Sequence, residues 1–385
     1  MVHRLVALDL PGGPNFVDAL RRVWDDGDAA FVLDQRLPRA AAERTLRAVS
    51  PAIVRNEQGD SPLDHAVPID DDDALVIATS GTSGEPKGVV LTHAAVRASA
   101  DATSRRIGVR DDDHWLACLP IAHVGGLSVI TRALHLGTRL TVLAGFDPAA
   151  AMSSGATLAS LVPTALARLD ARRFRVLLVG GASAPKNLPE NVLTTYGMTE
   201  TGSGVVYSGR PLDGVEVRID HDGIISLRGP MLLRTYRNGV DPKDHDGWFA
   251  TGDVGEWTGS GEERRLVVHG RRGDMINTGG EKVWPDAVEH VLSQHPSIAE
   301  VAIVGLDDPE WGQRVVAVVI PRDGASPTLE SLRETVKDTL PAYCAPRQLE
   351  LVDAIPRTAL GKIRRADLVA ALTSRRSDLP SRRSD

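Results

Sequence analysis

TSGTSGEPKGV, from Thr79 to Val89, directly follows the apolar run ALVIA (Ala74–Ala78), whose composition predicts a strand. Small residues in such a stretch let backbone N–H groups and hydroxyls approach a polyphosphate closely, and Lys87 adds a compact positive charge. The Gly-Lys-Ser/Thr ending of a Walker A loop is absent. The stretch therefore predicts a phosphate-binding loop of another type, and a glycine-rich linker is the alternative.

Composition limits the class of protein. The chain has 385 residues and a net charge of −7, with no basic stripe for nucleic acid and no apolar stretch long enough to span a membrane. Cys118 and Cys344 lie far apart without metal-ligand spacing, so we expect a reduced, cytoplasmic protein. Only six of the 44 basic residues are lysines, and we assign Lys243 among them to chance and Lys282 to a solvated surface.

The order of apolar and helical patterns predicts α/β architecture. After Asp70–Asp73, which we expect to form a solvated turn, Thr92 caps a predicted helix over 93–105. Four short apolar runs then predict strands: 115–119, 139–143, 158–162 and 175–179. The last of these runs ends in GGASAP, a turn-rich exit that suits a ligand crevice.

A second unit is predicted to begin near Gly273. Pro285 opens an amphipathic helix, and two strands, 301–305 and 314–320, bracket the loop LDDPEWGQ. Another helix is predicted over 329–340, and we expect the tail from Thr373 to be disordered.

Five further segments carry candidate chemistry, and each is polar, glycine-rich or both. They are LPIAHVGGLS (119–128), YGMTET (196–201), TGD (251–253), RRGDMINTGGEKVWPDAVE (271–289) and PRTALGKIRR (356–365). Together with the first stretch, in this order, they resemble the motifs of the acyl-adenylate-forming superfamily of acyl-CoA synthetases, adenylation domains and luciferases. The resemblance runs from Ala74 to Ala366. It implies a large, N-terminally shortened α/β domain (1–272), a small mobile α+β domain (273–372) on a hinge, and a tail (373–385).

The resemblance also implies a role for individual residues. The β- and γ-phosphates of ATP would be bound by Thr79, Ser80, Gly81, Thr82, Ser83, Gly84 and Lys87. Adenine and ribose would contact Tyr196, Gly181, Ala182, Asp253 and Arg271. The α-phosphate would meet Thr199, Mg²⁺ would be held by Glu200, and Lys362 would stabilise the transition state of adenylation. The acid would contact His123, Gly180 and Gly197, and the channel for coenzyme A would be bordered by Gly279 and Gly280.

One position departs from the family pattern, since Gly273 stands where relatives usually carry a hinge Asp or Lys. Glycine still permits hinging but removes any contact of a hinge side chain. For the remote end of the substrate, Arg132 is one candidate ligand, although a surface arginine is the simpler interpretation.

The implied activity is that of an acid–CoA ligase. A carboxylic acid and ATP would give acyl-AMP and pyrophosphate, and coenzyme A would then form the thioester. The short first unit is similar to that of the compact actinobacterial o-succinylbenzoate–CoA ligases of menaquinone biosynthesis. Another aryl- or acyl-CoA ligase, or an adenylation enzyme that loads a carrier protein, would share the motifs. A non-catalytic nucleotide-binding relative and a luciferase-type monooxygenase are less favoured, and a homodimer is compatible with the pattern.

Overall fold

The computed structural model describes residues 3–80, 86–181, 187–357 and 363–377. The chain divides into two compact units. The larger comprises Met1–Arg218, Ser226–Ala250 and Thr258–Leu266, and the smaller comprises Ile219–Ile225, Thr251–Trp257 and Val267–Asp385. Two short stretches of the smaller unit thus lie before its long continuous part, and the predicted boundary at residue 273 stays a prediction.

The strands of the first half of the chain are short. In chain order they are β1 (Leu5–Leu8), β2 (Ala29–Val32), β3 (Ile53–Asn56), β4 (Gly59–Pro62), β5 (Asp73–Ser80), β6 (Pro86–Thr92), β7 (His114–Ala117), β8 (Arg139–Val142), β9 (Leu158–Leu161), β10 (Val176–Val179), β11 (Val192–Met198) and β12 (Ser203–Tyr207). The later strands are β13 (Arg210–Pro211), β14 (Glu216–Ile219), β15 (Ile224–Arg228), β16 (Thr235–Tyr236), β17 (Phe249–Thr258), β18 (Arg265–Arg271), β19 (Ile276–Thr278), β20 (Glu281–Val283), β21 (Ile298–Asp308), β22 (Gly312–Pro321) and β23 (Gln348–Leu351).

The helices alternate with these strands, as the pattern predicts. They are α1 (Pro14–Asp25), α2 (Arg39–Val49), α3 (His93–Ile107), α4 (Val124–Leu136), α5 (Pro148–Ser153), α6 (Pro163–Leu166), α7 (Pro285–Leu292), α8 (Leu329–Lys337) and α9 (Arg365–Ser377). The predicted cap of α3 is confirmed, because the Thr92 side chain accepts a hydrogen bond from the backbone N–H of Ala95 at 3.0 Å. Among the described residues, no helix is long and apolar enough to cross a membrane.

The first sheet of the larger unit has seven strands within the described residues, in the order β16-β6-β5-β2-β1-β3-β4. Its inner strands β5, β2, β1 and β3 run parallel, and antiparallel β6 and β4 lie toward its edges. Strands β1 and β2 are buried along their whole length. This burial explains why their sequences, LVAL and AAFV, are continuously apolar rather than alternating.

The second sheet of the larger unit has the order β13-β12-β11-β10-β9-β7-β8, again seven strands in the described part of the chain. The strands from β11 to β8 are parallel, so their carboxyl ends meet at one edge. One face is covered by α5 and α6, through a core that includes Leu161, Leu177 and Phe174. The loops that follow β7, β10 and β11 therefore leave the sheet at the same edge, where open α/β sheets bind their ligands.

A four-stranded sheet of the described chain takes the order β14-β15-β17-β18. Within the described residues, the smaller unit contains a sheet of order β20-β19-β22-β21 in which β23 pairs with β22. Alternate residues of β21 enter two different cores. Val301 and Ile303 pack toward α7 and α8, whereas Ala302 and Val304 pack toward α9. The smaller unit therefore has a sheet that is covered on both faces.

Several local predictions are wrong. Asp73 is 1% exposed rather than part of a solvated turn, because the Arg234 guanidinium donates to both of its carboxylate oxygens at 2.8 Å. Strands β21 and β22 extend through most of LDDPEWGQ, leaving a tight turn between them. Residues 373–377 continue α9 instead of forming a disordered tail.

Candidate active site

The carboxyl edge of the second sheet gathers three predicted segments. Gly180 and Gly181 follow β10, the turn Thr199–Thr201 follows β11, and the loop that ends at His123 follows β7. Strands β10 and β11 are neighbours in the sheet, so the first two segments lie side by side. This placement comes from the parallel pairing alone and agrees with the predicted ligand crevice.

The YGMTET segment is a strand followed by one tight turn. Tyr196 and Gly197 lie in β11, at a register shift opposite β12. A Cβ at Gly197 would overlap the carbonyl oxygen of Ser203, so close strand approach is a sufficient reason for this glycine. Thr201 fixes the turn, since its hydroxyl accepts from the Met198 backbone N–H at 2.9 Å and donates to the Ser203 carbonyl at 2.6 Å. Thr199 and Glu200 are thereby presented on a rigid, half-buried turn.

The TSGTSGEPKGV segment begins and ends in a β-hairpin. Thr79 pairs with Lys87 across β5 and β6, and the Thr79 hydroxyl lies 3.5 Å from the Lys87 carbonyl oxygen. The expectation that the whole segment is a loop is therefore wrong for its two ends. Because Lys87 is a strand residue, its stem starts from a fixed backbone position.

One tyrosine joins the hairpin to the turn. The Lys87 ammonium lies 5.3 Å from the centre of the Tyr236 ring, and the Tyr236 hydroxyl donates to Glu200 Oε1 at 3.0 Å. Lys87, which is predicted to bind phosphate, and Glu200, which is predicted to bind the metal, thus contact the same aromatic side chain. Tyr236 itself was not predicted, because nothing in the local sequence MLLRTYRNG indicates this contact.

His123 is the N-cap residue that precedes α4, and it lies close to a residue from another loop. Its Nε2 lies 3.4 Å from Asp34 Oδ2, and the Asp34 carboxylate also accepts two hydrogen bonds from the Arg36 side chain, each at 2.8 Å. Burial lowers the pKa of His123, although the Asp34 carboxylate opposes this effect. Within the described residues, Nε2 forms no hydrogen bond, and the predicted contact of His123 with the acid stays a prediction.

Arg132 is not a surface residue. Helix α4 is buried around its circumference from Gly126 to Ala133, and Arg132 is 1% exposed. Its guanidinium lies 4.8 Å from the centre of the Trp115 ring, and Nη2 is 3.3 Å from the Ser203 hydroxyl. Within the described residues, Nε and Nη1 have no hydrogen-bond partner. Burial lowers the pKa of the Arg132 guanidinium, which indicates an environment unfavourable to its charge.

Asp253 and Arg271 meet in the smaller unit. Asp253 lies inside β17, and the Arg271 Nε is 2.9 Å from its Oδ1. The side chain of Arg271 also donates to the Thr251 carbonyl oxygen at 3.3 Å. The two residues predicted for the ribose are thus held against each other.

The predicted hinge and channel segments lie in the same unit. Gly273 is the middle residue of a 3₁₀ turn (Arg272–Asp274), and a Cβ there would meet no atom within 4 Å. Gly279 and Gly280 connect β19 to β20 with φ of 62° and 86°. Positive φ at both positions defines the tight hairpin turn for which glycine is favoured. Lys282 is exposed in β20, as predicted.

Six predicted residues lie outside the described residues: Gly81, Thr82, Ser83, Gly84, Ala182 and Lys362. The roles assigned to all site residues stay predictions. What the structure adds is two groupings, one of Lys87 and Glu200 around Tyr236, with Thr79 paired to Lys87 in the hairpin, and one of Asp253 with Arg271.

Comparison with known proteins agrees with this architecture. Residues 17–237 match the model of the AMP-binding enzyme family, and residues 287–362 match the model of the AMP-binding enzyme C-terminal domain. A protein of Mycobacterium tuberculosis named "Probable 2-succinylbenzoate--CoA ligase" is 41% identical over 365 residues, which cover 86% of this chain and 93% of that protein.

Two solved structures extend the likeness to three dimensions. The o-succinylbenzoate CoA synthetase (MenE) of Bacillus subtilis, in complex with the acyl-adenylate intermediate OSB-AMP, gives a TM-score of 0.84 at 26% identity and covers 94% of this chain and 87% of its own. The same enzyme in complex with ATP and magnesium ion also gives a TM-score of 0.84 at 26% identity. The match covers 94% of this chain and 89% of that enzyme's chain. The predicted superfamily and fold class are confirmed, and the chain belongs to the AMP-binding enzyme family.

Proposed function

We propose that this chain is a cytoplasmic 2-succinylbenzoate–CoA ligase that works in menaquinone synthesis and uses ATP, Mg²⁺ and coenzyme A. A substrate carboxylate oxygen attacks the α-phosphorus of ATP, and the bond to pyrophosphate breaks. The thiol of coenzyme A then attacks the acyl carbon of the acyl-AMP, and AMP leaves. The likeness to enzymes named for this activity supports the general reaction. The observation that carries the choice of acid is the environment of Arg132.

A buried cation with open donors is unfavourable unless an anion completes the site. Moving an ion of this size out of water costs several kcal/mol, and donors left without partners add to that cost. The Arg132 guanidinium contacts the Trp115 ring and the Ser203 hydroxyl, which is itself 3.4 Å from the Ser128 hydroxyl, and Tyr207 also lies near it. None of these contacts is a carboxylate. 2-Succinylbenzoate has two carboxylates, so one can react while the other pairs with this guanidinium. A monocarboxylic fatty acid would leave Arg132 unpaired.

The remaining site residues fit the nucleotide. Lys87 and Thr79 frame the hairpin proposed to hold the β- and γ-phosphates, and Tyr196 lies on the strand beside Gly180, where adenine would bind. The Asp253 carboxylate is an acceptor suited to the ribose hydroxyls, and Arg271 orients it. Thr199 would donate to the α-phosphate.

Mg²⁺ fits the donor set at Glu200. The carboxylate supplies hard oxygen, and in the described part of the chain no group of three metal-ligating side chains accompanies it. Mg²⁺ characteristically takes one or two carboxylates and completes its shell with phosphate oxygens and water. The bound ion would neutralise negative charge on the phosphates, and Glu200 would hold it.

The two half-reactions make different demands on the smaller unit. Lys362 is proposed to act in adenylation, and rotation about Gly273 would replace it with the Gly279–Gly280 turn at the channel for coenzyme A. Alternation of this kind lets one cavity serve two transition states. The open space around Gly273 is compatible with such a change.

The test is a pyrophosphate-release screen over carboxylic acids, with and without coenzyme A, with products identified by mass. The panel should include 2-succinylbenzoate and 4-oxo-4-phenylbutanoate, which lacks the ring carboxylate. We expect pyrophosphate release with the first acid and a thioester only when coenzyme A is present. Preference for another acid would overturn the choice of substrate, and transfer to a carrier protein but not to coenzyme A would favour the adenylation alternative.

Arg132 provides the decisive variants. Arg132→Met should raise the KM for 2-succinylbenzoate by about 100-fold, the loss expected for a desolvated charged hydrogen bond, while changing little with the ring-decarboxylated analogue. Arg132→Lys should recover part of the loss because it keeps the charge. The ligand-free Met variant should melt no lower than the wild type, since a buried unpaired cation is removed. An equal loss with both acids would refute the role of Arg132.

A further inference from the structure

Tyr236 lies between two groups of opposite charge that the activity needs unpaired. Its hydroxyl donates to Glu200 Oε1 at 3.0 Å, and the Lys87 ammonium lies 5.3 Å from its ring centre. Within the described chain, Lys87 and Glu200 form no ion pair with each other. A direct pair would occupy the cation meant for phosphate and the carboxylate meant for metal. The tyrosine accommodates both side chains without joining them.

The backbone around Tyr236 is fixed on both sides. Strand β16 pairs with β6, where Tyr236 lies opposite Val89, and the Arg237 N–H donates to the Gly88 carbonyl oxygen at 2.7 Å. The Leu233 N–H donates to the carbonyl oxygen of Glu200 itself at 2.8 Å. One short segment therefore contacts the lysine strand and the glutamate turn through its backbone as well as its side chain.

Lys243 forms hydrogen bonds to the backbone of the segment that carries Tyr236. Its ammonium donates to the carbonyl oxygens of Leu233 and Arg234, each at 2.8 Å, and to Asp241 Oδ1 at 2.7 Å. The assignment of this lysine to chance is therefore wrong. Three N–H groups directed at two adjacent carbonyl oxygens and one carboxylate suit the compact ammonium of a lysine, even in an arginine-rich chain.

We propose that Tyr236 is a positioning residue that orients the Glu200 carboxylate for Mg²⁺ and the Lys87 ammonium for the terminal phosphates, and keeps the two from pairing. The inference rests on the proposed function, since it assumes that Glu200 meets the metal and Lys87 the phosphates. The hydroxyl engages one carboxylate oxygen, which sets the direction of the other. The ring face attracts the ammonium without neutralising it.

Two substitutions separate the two contacts. Tyr236→Phe keeps the ring and removes the hydroxyl, so the Mg²⁺ concentration for half-maximal pyrophosphate release should rise about 10- to 100-fold, with little change in KM for ATP at saturating Mg²⁺. Tyr236→Leu also removes the ring face, and should in addition raise the KM for ATP about 2- to 5-fold. Tyr343→Phe, at an exposed tyrosine of the smaller unit, is the matched control and should behave as wild type.

A calorimetric titration with ATP, with and without Mg²⁺, makes the test independent of the acid. Weaker binding of Tyr236→Phe only when Mg²⁺ is present would support the inference even if the screen identified a different substrate. Unchanged Mg²⁺ dependence in both assays would overturn it. So would a fall in kcat accompanied by a lower melting temperature and an unshifted Mg²⁺ requirement, because that combination describes a merely structural tyrosine.

Discussion

Glu289→Gln should remove a pH dependence from the stability of the smaller unit. Glu289 lies on α7, and both of its oxygens accept from Arg365 Nη2, at 2.7 and 2.8 Å. The same guanidinium contacts Asp286 at 2.5 Å and Asp274 at 3.5 Å. One cation thus faces three carboxylates in a largely buried cluster. Burial, reinforced by the negative charge of Asp286, raises the pKa of Glu289 from 4.5 to about 7, although Arg365 opposes the rise.

The sign of the effect follows from proton binding. The folded chain keeps a proton on Glu289 that the unfolded chain has released, so folding takes up a proton between pH 4.5 and about 7. The free energy of unfolding therefore falls as pH rises through this window, and the full loss is present above it. A pKa of 4.5 in the unfolded chain and of about 7 in the folded chain changes the free energy of unfolding by about 3 kcal/mol across this window. Carboxylates with lowered pKa, such as Asp308, act in the opposite direction and below pH 4.

Urea unfolding from pH 4 to pH 8, followed by tryptophan fluorescence and circular dichroism, measures this effect. The difference in free energy of unfolding between wild type and Glu289→Gln should fall by about 3 kcal/mol as pH rises, since titrating groups outside this cluster contribute equally to both proteins. Glu300→Gln, at an exposed ion pair with Arg357, is the control, and should change stability by less than about 1 kcal/mol throughout. A wild-type advantage that stays constant or grows with pH would show that Glu289 is ionised, and would refute the reasoning.

Three further changes test the proposed roles. Lys362→Ala should slow adenylation about 100- to 1000-fold and leave thioester formation from supplied acyl-AMP intact; equal losses in both half-reactions would contradict domain alternation. Asp253→Asn should raise the KM for ATP more than it lowers kcat, because a ribose contact is common to ground and transition states, and a change confined to kcat would exclude that contact. Gly273→Pro should let acyl-AMP accumulate in rapid-quench experiments while Gly273→Ala does not; equal half-reactions in a stably folded Pro variant would show that this residue is no hinge.

The elements that could be predicted are those whose signals are local. The Thr92 cap, the proline at the start of α7 and the apolar runs of β7 to β10 each depend on neighbouring residues, and the structure has them at or within two residues of the expected positions. The glycine pair at 279–280 predicts a break, and two positive φ angles account for it. The order of motifs then identified the family.

Most of the wrong or missed predictions concern residues whose contacts are distant in the sequence. In the sequence, Asp73 belongs to a run of acids that predicts a solvated turn. In the structure it pairs with Arg234, which lies 161 residues later. The contacts of Tyr236 and Lys243 depend on the pairing of β16 with β6, which the local sequence does not indicate. For Arg132 a local signal did exist, because the helix VGGLSVITRALHL has no other Lys, Arg, Asp or Glu and too little polar surface to lie in water. An arginine in such a helix should have been expected inside the fold.

Arg132 differs from other arginines of this chain that contact buried groups, because those arginines pair with carboxylates of the protein. Arg175 pairs with Asp113, and Arg234 pairs with Asp73, so that each of these buried carboxylates has a guanidinium partner. The chain could have supplied an acid to Arg132 in the same way and become more stable. Within the described residues Arg132 forms no ion pair, and its neighbours include the Ser203 hydroxyl, the Trp115 ring and Tyr207. A carboxylate built into the protein would occupy the guanidinium permanently, and a carboxylate of the substrate could then no longer bind there. Under the proposed role of Arg132 as the ligand of the second carboxylate, this loss of stability is the usual consequence of a site that receives a charged ligand.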